Sequence, residues 1–234
     1  MSSTSDSTSD HFDRLASQYA ELRFADRGGD PAALRGQRVL DVGCGPGTTV
    51  RSLVDSDAVG VDSSERMVEV ARVAGGEFHV GRAEALPFAD ASFDVLLMRM
   101  VAHLLDRPRA FAEALRVLRR DGRLEITTSE PTAPFWVTRY FPAFDAIERG
   151  RFPTGATLEH ELRAAGFRDV RIEPFVLPRS FSRDEALAKI RGRAYSTFAL
   201  ISEEEYQQGL AAAEATLPGR VEYDWHGFRA VGVR

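Results

Sequence analysis

A chain of 234 residues, 44% of them hydrophobic, is long enough to bury the core of one sizeable domain and too short for two full ones. A formal net charge of -5 and a pI near 5.6 argue against a broad basic surface for nucleic acid, and the single cysteine, Cys44, excludes an intrachain disulfide or a two-cysteine metal site. No apolar stretch approaches the roughly 20 residues that span a bilayer, so no membrane insertion is expected and the predicted location is cytoplasmic. Lys189 is the only lysine, a bias that genome composition explains and that identifies no partner.

Residues 1–9 are, after Met1, Ser, Thr and Asp with neither a positive flank nor an apolar centre, which reads as a disordered tail rather than a signal peptide and leaves 10–234 as one domain. Phe12, Leu15, Tyr19 and Leu22 recur at helical spacing and predict a leading amphipathic helix. Arg38 to Val42 reads as a buried strand that runs into the glycine turn Gly43-Cys44-Gly45-Pro46-Gly47 and then a helix near Thr48 to Val54. A second strand over Ala58 to Val61 and a helix over Ser63 to Ala74 follow, then strands at Phe78 to Val80 and Phe93 to Met98. Asp106 caps a helix carrying Phe111, Ala114, Leu115 and Leu118 on one face, with Arg119 and Arg120 near its end and Gly122 beyond. Leu124 to Thr128 predicts a fifth strand, Thr157 to Ala165 a helix stopped by Gly166, Val170 and Ile172 a sixth strand, and Tyr223 to Val233 a last one. This alternation predicts an α/β fold, a doubly wound and mostly parallel seven-stranded sheet. Insertions at about 131–155 and 178–218 break the rhythm and predict a helical cap, its helices opened by the capping-box patterns Ser182 to Glu185 and Ser202 to Glu205.

In an open α/β sheet the ligand lies beyond the carboxyl ends of the strands, where strand order reverses, and the glycine turn marks that place. Without Cβ atoms, Gly43, Gly45 and Gly47 permit a sharp turn and close approach of a bound molecule. A dinucleotide fingerprint would carry its third glycine one residue later, where Thr48 stands. Asp41 could meet an ammonium group but would repel a pyrophosphate, and Asp62 could accept from two ribose hydroxyls. Alternatively Asp41 merely ends a strand and Asp62 caps the next helix. Together with the turn, the two acids ask for a ligand bearing an amine and a ribose.

With these residues in place, the sequence resembles the class I S-adenosylmethionine-dependent methyltransferases, especially the small-molecule type similar to the ubiquinone and menaquinone biosynthesis enzymes. The resemblance is carried by Val39 to Thr48, by Val59-Gly60-Val61-Asp62-Ser63-Ser64, by Ala83-Glu84-Ala85-Leu86-Pro87-Phe88, and by Phe93-Asp94-Val95, Val101-Ala102-His103-Leu104 and Leu118 to Leu124 in the same order. It covers roughly Phe12 to Ile172 and implies a Rossmann-like fold that binds S-adenosyl-L-methionine and releases S-adenosyl-L-homocysteine. It also implies that Asp41 and the turn, Cys44 included, face the methionine part, that Asp62 with Ser63 and Met67 faces the ribose, and that Ala83 and Glu84 border the adenine. Arg82 departs from the family, which often has an acid there. A guanidinium cannot accept from the adenine amino group, so backbone atoms or Glu84 must do so, or Arg82 stacks on the ring or is simply a solvated side chain. Tyr19 resembles an aromatic that folds over the cofactor, though it also fits ordinary helix packing. Arg99, Met100 and His103 would border the transferable methyl.

The implied reaction is an in-line methyl transfer to an oxygen, carbon or nitrogen of a small molecule, a reaction that needs alignment more than a protein nucleophile. His103 is the candidate general base, against a structural role for a lone histidine. Phe135, Trp136, Tyr140, Phe141, Phe144 and Phe152 suit a lid over an apolar acceptor or the core of the insertion itself. Arg183, Arg191 and Arg193 could meet an acidic substrate or solvent. Two alternatives are a cofactor-binding protein of the same fold without transfer activity and, less favoured by Asp41 and Thr48, a nicotinamide-dependent oxidoreductase. Oligomeric state is not legible.

Overall fold

The computed structural model describes Asp13, Ala16 and residues 31–234. The 1–9 tail and Tyr19 lie outside the described residues, as does the leading helix apart from Asp13 and Ala16. Seven strands form one sheet: β1 Arg38–Val42, β2 Asp57–Asp62, β3 Glu77–Val80, β4 Phe93–Arg99, β5 Leu118–Ser129, β6 Arg168–Ser182 and β7 Arg220–Val233. Their order is β3-β2-β1-β4-β5-β7-β6, with β1 to β5 parallel and β7 antiparallel to both β5 and β6. Within residues 31–234 the α-helices are α1 Thr48–Ser52, α2 Glu65–Val73, α3 Arg107–Val117, α4 Ala143–Arg151, α5 Gly155–Ala165, α6 Arg183–Arg191 and α7 Glu203–Thr216.

Helices cover both faces of the parallel strands, which is why β1 and β4 are apolar along nearly their whole length. Successive side chains point to opposite faces. Leu40, Val42, Leu96, Met98 and Ile126 join Phe111 and Ala114 of α3 and Leu158 and Leu162 of α5 in the main core. Val39, Val95 and Leu97 join Leu34 and Leu53 on the other side.

Local chemistry sets the element ends, in places against the sequence reading. The Ser64 hydroxyl caps α2 by accepting the Met67 N–H at 3.1 Å, so Asp62 is not the cap. Asp106 caps α3 as predicted, but the helix stops at Val117 because Leu118 already pairs with Phe93. The left-handed residue in the following turn is Asp121 (φ 64°), not Gly122. Gly122 is needed for space, since a Cβ there would stand 3.0 Å from the Asp94 carbonyl.

β6 is far longer than Val170 and Ile172 suggested. Residues 178–182, expected in the cap, pair with β7 from Pro178↔Asp224 to Ser182↔Arg220. Pro174 and Pro178 are tolerated because β6 is an edge strand with one row of backbone groups outside the ladder. Beyond the sheet, the two insertions share an apolar core in which Val137, Phe141 and Phe144 meet Leu187, Ile190, Phe198 and Tyr206. Ser182 and Glu185 form a reciprocal capping box at α6. At α7 the Ser202 hydroxyl accepts from Glu205 N–H at 3.1 Å, yet the Glu205 carboxylate turns away to accept the Ala143 N–H at 3.0 Å. That bond ties α7 to the start of α4.

Candidate active site

Strand order reverses between β1 and β4, and the glycine turn leaves β1 at that crevice. Gly43, Gly45 and Gly47 all adopt left-handed backbone, with φ of 74°, 53° and 79°. Two of them also lack room for a side chain. A Cβ on Gly43 would approach Val101 Cγ2 to 2.7 Å, and one on Gly47 would strike the Phe78 ring. The turn is anchored from β2, where the Val61 carbonyl accepts the Gly43 and Cys44 N–H groups at 2.8 and 3.1 Å.

Asp62, at the end of β2, holds the same turn through its side chain. One carboxylate oxygen accepts the Gly45 N–H at 2.8 Å and the other accepts the Ser64 N–H at 2.9 Å. Each oxygen retains a second lone pair for a ligand. Burial pushes the Asp62 carboxyl above the usual carboxylate range; the N–H groups of Ser64, Gly45 and Ser63 pull it back, and nearby Asp13 adds to the rise. Asp13 also accepts from the Ser64 hydroxyl, which brings Asp13 to this site.

Asp41 is buried beneath the turn, 2% exposed. Burial raises its pKa to about 6; Arg99, at the end of β4, and a hydrogen bond from Thr49 counteract, while Asp62 adds to the rise. Arg99 Nη1 donates to Thr49 Oγ1 at 3.1 Å, so Asp41, Thr49 and Arg99 form one cluster across β1, α1 and β4. Cys44 is buried and its thiol is pushed up by burial and by the two aspartates, which keeps it protonated and unreactive.

The loop after β3 lies along α3. Glu113 accepts the Leu86 N–H at 2.7 Å, and Arg116 donates to the Leu86 and Phe88 carbonyls at 3.0 and 2.8 Å. Ala83 is buried. Glu84 is committed to protein partners: it accepts the Asp106 N–H at 3.0 Å and lies 3.4 Å from Arg82 Nε. Arg82 is 54% exposed along its side chain and paired with its neighbour's acid. Ser63 is exposed at the crevice and Met67 is buried on α2.

A cavity of about 1060 Å³, including its open mouth, lies beside the ends of β4 and β5 and reaches the helical insertions. Met100 and His103 line it on the sheet side. The His103 ring stacks on Phe152 at 3.9 Å between centroids, and its Nε2 lies 3.4 Å from Ser196 Oγ, to which Arg151 donates at 3.3 Å. The insertion aromatics divide between the two roles weighed for them. Phe135 and Phe152 line the cavity, whereas Phe141 and Phe144 are the insertions' own core. The arginines at 183, 191 and 193 serve structure: Arg183 donates to the Leu217 and Glu214 carbonyls, Arg191 pairs with Glu214 at 2.7 Å, and Arg193 pairs with Glu203 at 2.6 Å.

The glycine turn, Asp41, Asp62 and Arg99 thus converge at one crevice, and His103 borders the adjoining cavity. Asp13, Thr49 and Ser196 were not singled out from sequence. Thr49 follows the turn directly and could have been; the other two depend on contacts across 51 and 93 residues. Among the described residues no helix is long and apolar enough to cross a membrane.

Residues 40–126 match the family model described as a methyltransferase domain. The chain is 32% identical over 163 residues to a malonyl acyl-carrier-protein O-methyltransferase of Methylococcus capsulatus, covering 65% of this chain and 59% of that one. It is 37% identical over 133 residues to a demethylmenaquinone methyltransferase of Thermotoga maritima, covering 49% and 58%. The chain therefore spans less than two thirds of either relative's length. A crystal structure of a putative methyltransferase from an antibiotic biosynthesis pathway of Anabaena variabilis superposes with a TM-score of 0.70 at 23% identity, over 86% of this chain and 91% of that one. Residues 40–126 thus match a methyltransferase domain family, and the chain shares its fold with the Anabaena variabilis protein.

Proposed function

We propose that this chain transfers a methyl group from S-adenosylmethionine to a small molecule held in the cavity beside β4. The observation that carries this reading is the pairing of two acids, Asp41 and Asp62, at the carboxyl ends of β1 and β2, one below the glycine turn and one gripping it. A pyrophosphate would face both carboxylates, whereas a nucleoside with an amino-acid tail finds a partner for its ammonium in Asp41 and for its ribose hydroxyls in the spare lone pairs of Asp62. When bound, that cofactor supplies an electrophilic methyl group.

In this reading Gly43, Cys44, Gly45 and Gly47 offer backbone to the methionine part, and Arg99 accompanies Asp41 there. Ser63 and Met67 lie along the ribose side, with Tyr19 as a further candidate. Arg82, Ala83 and Glu84 border the adenine, but Glu84 acts by holding its loop, since its carboxylate is already spent on Asp106 and Arg82. His103 takes the acceptor's proton, its ring plane fixed by Phe152. The insertion at 131–155 and the part of the 178–218 insertion beyond Ser182 cap the same single domain and shield the acceptor from water, as the shared apolar core between them supports. The net charge of -5 favours a small-molecule substrate over nucleic acid, and the protein acts in the cytoplasm.

Thermal denaturation with cofactor analogues tests the assignment. S-adenosylhomocysteine should raise the melting temperature, since a ligand at a hundred times its dissociation constant adds about 2.7 kcal/mol, and NAD should not. Stabilisation by NAD alone defeats the reading. Transfer of a labelled methyl group to any member of an acceptor panel, lost in His103→Gln while S-adenosylhomocysteine still binds, separates an enzyme from a cofactor-binding protein.

A further inference from the structure

The acceptor cavity has a corner built of three rings. Phe135 meets Tyr195 at 5.1 Å between centroids and 81° between planes, and Tyr223 at 5.8 Å and 71°. All three line the cavity, so its wall turns through rings set close to right angles. Glu130, half-buried just past the end of β5, lines the same cavity. We infer that this corner and Glu130 select an acceptor that carries an aliphatic ammonium group beside a flat apolar body. The inference rests on the methyl-transfer reading and names the class of molecule the cavity takes.

The faces of aromatic rings attract a cation, and rings at right angles can flank one from more than one side. An ammonium also needs acceptors for its N–H donors, which rings do not supply. Glu130 supplies one. Its Oε1 accepts the Thr132 N–H at 3.3 Å and the Thr132 hydroxyl at 2.8 Å, which orients the carboxylate, while its Oε2 accepts nothing from the described residues. The Glu130 N–H donates to the His226 carbonyl at 3.0 Å and so ties the acid to β7, the strand of Tyr223. Asp224, exposed and next to Tyr223, is a second cavity acid whose side chain forms no ion pair among the described residues. The other charges of the lining are met within the protein. Asp145 accepts from Arg149 at 2.8 Å, and Glu148 accepts from the Thr197 hydroxyl at 2.6 Å with Arg151 nearby. Lys189 and Arg179 are engaged as well, the ammonium 5.8 Å from the centre of the Phe181 ring and the guanidinium 5.2 Å from that of Trp225. The balance left to a ligand is negative, four carboxylates against two basic side chains, and it falls on Glu130 and Asp224. Those two acids would repel an anionic acceptor. Phe152 and Trp225 offer apolar surface for the body of the molecule.

Calorimetry on the full chain saturated with S-adenosylhomocysteine tests this with three probes built on one ring: tryptamine, an ammonium at neutral pH, its uncharged counterpart tryptophol, and the anion indole-3-acetate. Tryptamine should bind at least about tenfold more tightly than tryptophol, the lower end of the range for hydrogen bonds to a charged group, and indole-3-acetate should bind more weakly than either. In Glu130→Gln the preference for tryptamine should be lost while S-adenosylhomocysteine still binds. Phe135→Leu should weaken tryptamine more than tryptophol, which a merely apolar wall would not do. Equal binding of tryptamine and tryptophol by the unaltered protein, binding of none of the three, tighter binding of indole-3-acetate, or a preference that survives Glu130→Gln overturns the inference. The arm on the unaltered protein decides even where a variant fails to fold. Retained S-adenosylhomocysteine binding in that arm shows that only the acceptor class is wrong, whereas its absence would sink the methyl-transfer reading.

Discussion

The Asp62 carboxylate accepts the Gly45 N–H at 2.8 Å, so the acid that ends β2 holds the turn that leaves β1. Its other oxygen takes the Ser64 N–H. Asp62→Ala therefore orphans two backbone donors, and unfolding in urea should report a loss of about 2–6 kcal/mol, from 1–3 kcal/mol for each donor. Asp62→Asn keeps one acceptor oxygen. It should retain most of that stability while S-adenosylhomocysteine affinity falls at least tenfold, and an unchanged affinity would reduce Asp62 to a loop anchor.

Asp41 ties stability to pH in an unusual direction. Burial raises its pKa from 3.8 to about 6, so between these values the folded state holds a proton that the unfolded state has released. Its contribution is therefore full below pH 3.8 and is lost as pH rises toward 6, a loss of about 3 kcal/mol at neutral pH. Asp41→Asn should stabilise the ligand-free protein at pH 7 and flatten this part of the stability profile.

A bound ammonium reverses that preference, because it favours the ionised carboxylate. Affinity for S-adenosylhomocysteine should fall by up to about tenfold per pH unit below 6 and level off above it. Isothermal titration from pH 5 to 8 measures the slope, and Asp41→Asn should remove it.

Gly36 and Gly47 separate backbone strain from crowding. Both are left-handed, with φ of 72° and 79°, but a Cβ on Gly36 meets nothing within 4 Å whereas one on Gly47 meets the Phe78 ring and Arg51. Gly36→Ala should cost about 1–2 kcal/mol. Gly47→Ala should cost clearly more by the same denaturation assay, and Phe78→Leu should relieve part of the excess.

Glu84 and Arg82 should differ in consequence although they pair. Arg82→Ala removes a half-exposed partner of Glu84, whose carboxylate keeps the Asp106 N–H, and should change stability by about 1 kcal/mol or less. Glu84→Ala also leaves the Asp106 N–H without its acceptor and should loosen the loop after β3, read as faster amide exchange over residues 82–88.

The sheet and its crevice were legible in the sequence because local rules set them. Buried parallel strands are apolar runs, helices have a 3.6-residue period, and a left-handed turn demands glycine, so β1, the glycine turn and the acids at Asp41 and Asp62 could be read directly. The extent of β6 could not be read, because Pro174 and Pro178 argue against a strand and only pairing with β7 at the sheet edge overrides them. The end of α3 was misplaced for a similar reason: the Leu118 pairing with Phe93 decided it, and that partner lies outside any local window.

The division between site and scaffold was likewise a tertiary matter. The family resemblance named Glu84, and residue type named Arg183, Arg191 and Arg193, yet the nearest partner of each lies in another element that no local window contains. Glu130 and Tyr195 drew no functional reading from sequence, since the cavity they line exists only once the insertions close against the end of the sheet. Chain-local sterics and periodicity thus determined the crevice from sequence alone. Which charges face it was decided by long-range packing, since a side chain's solvent and partners are set by segments far along the chain.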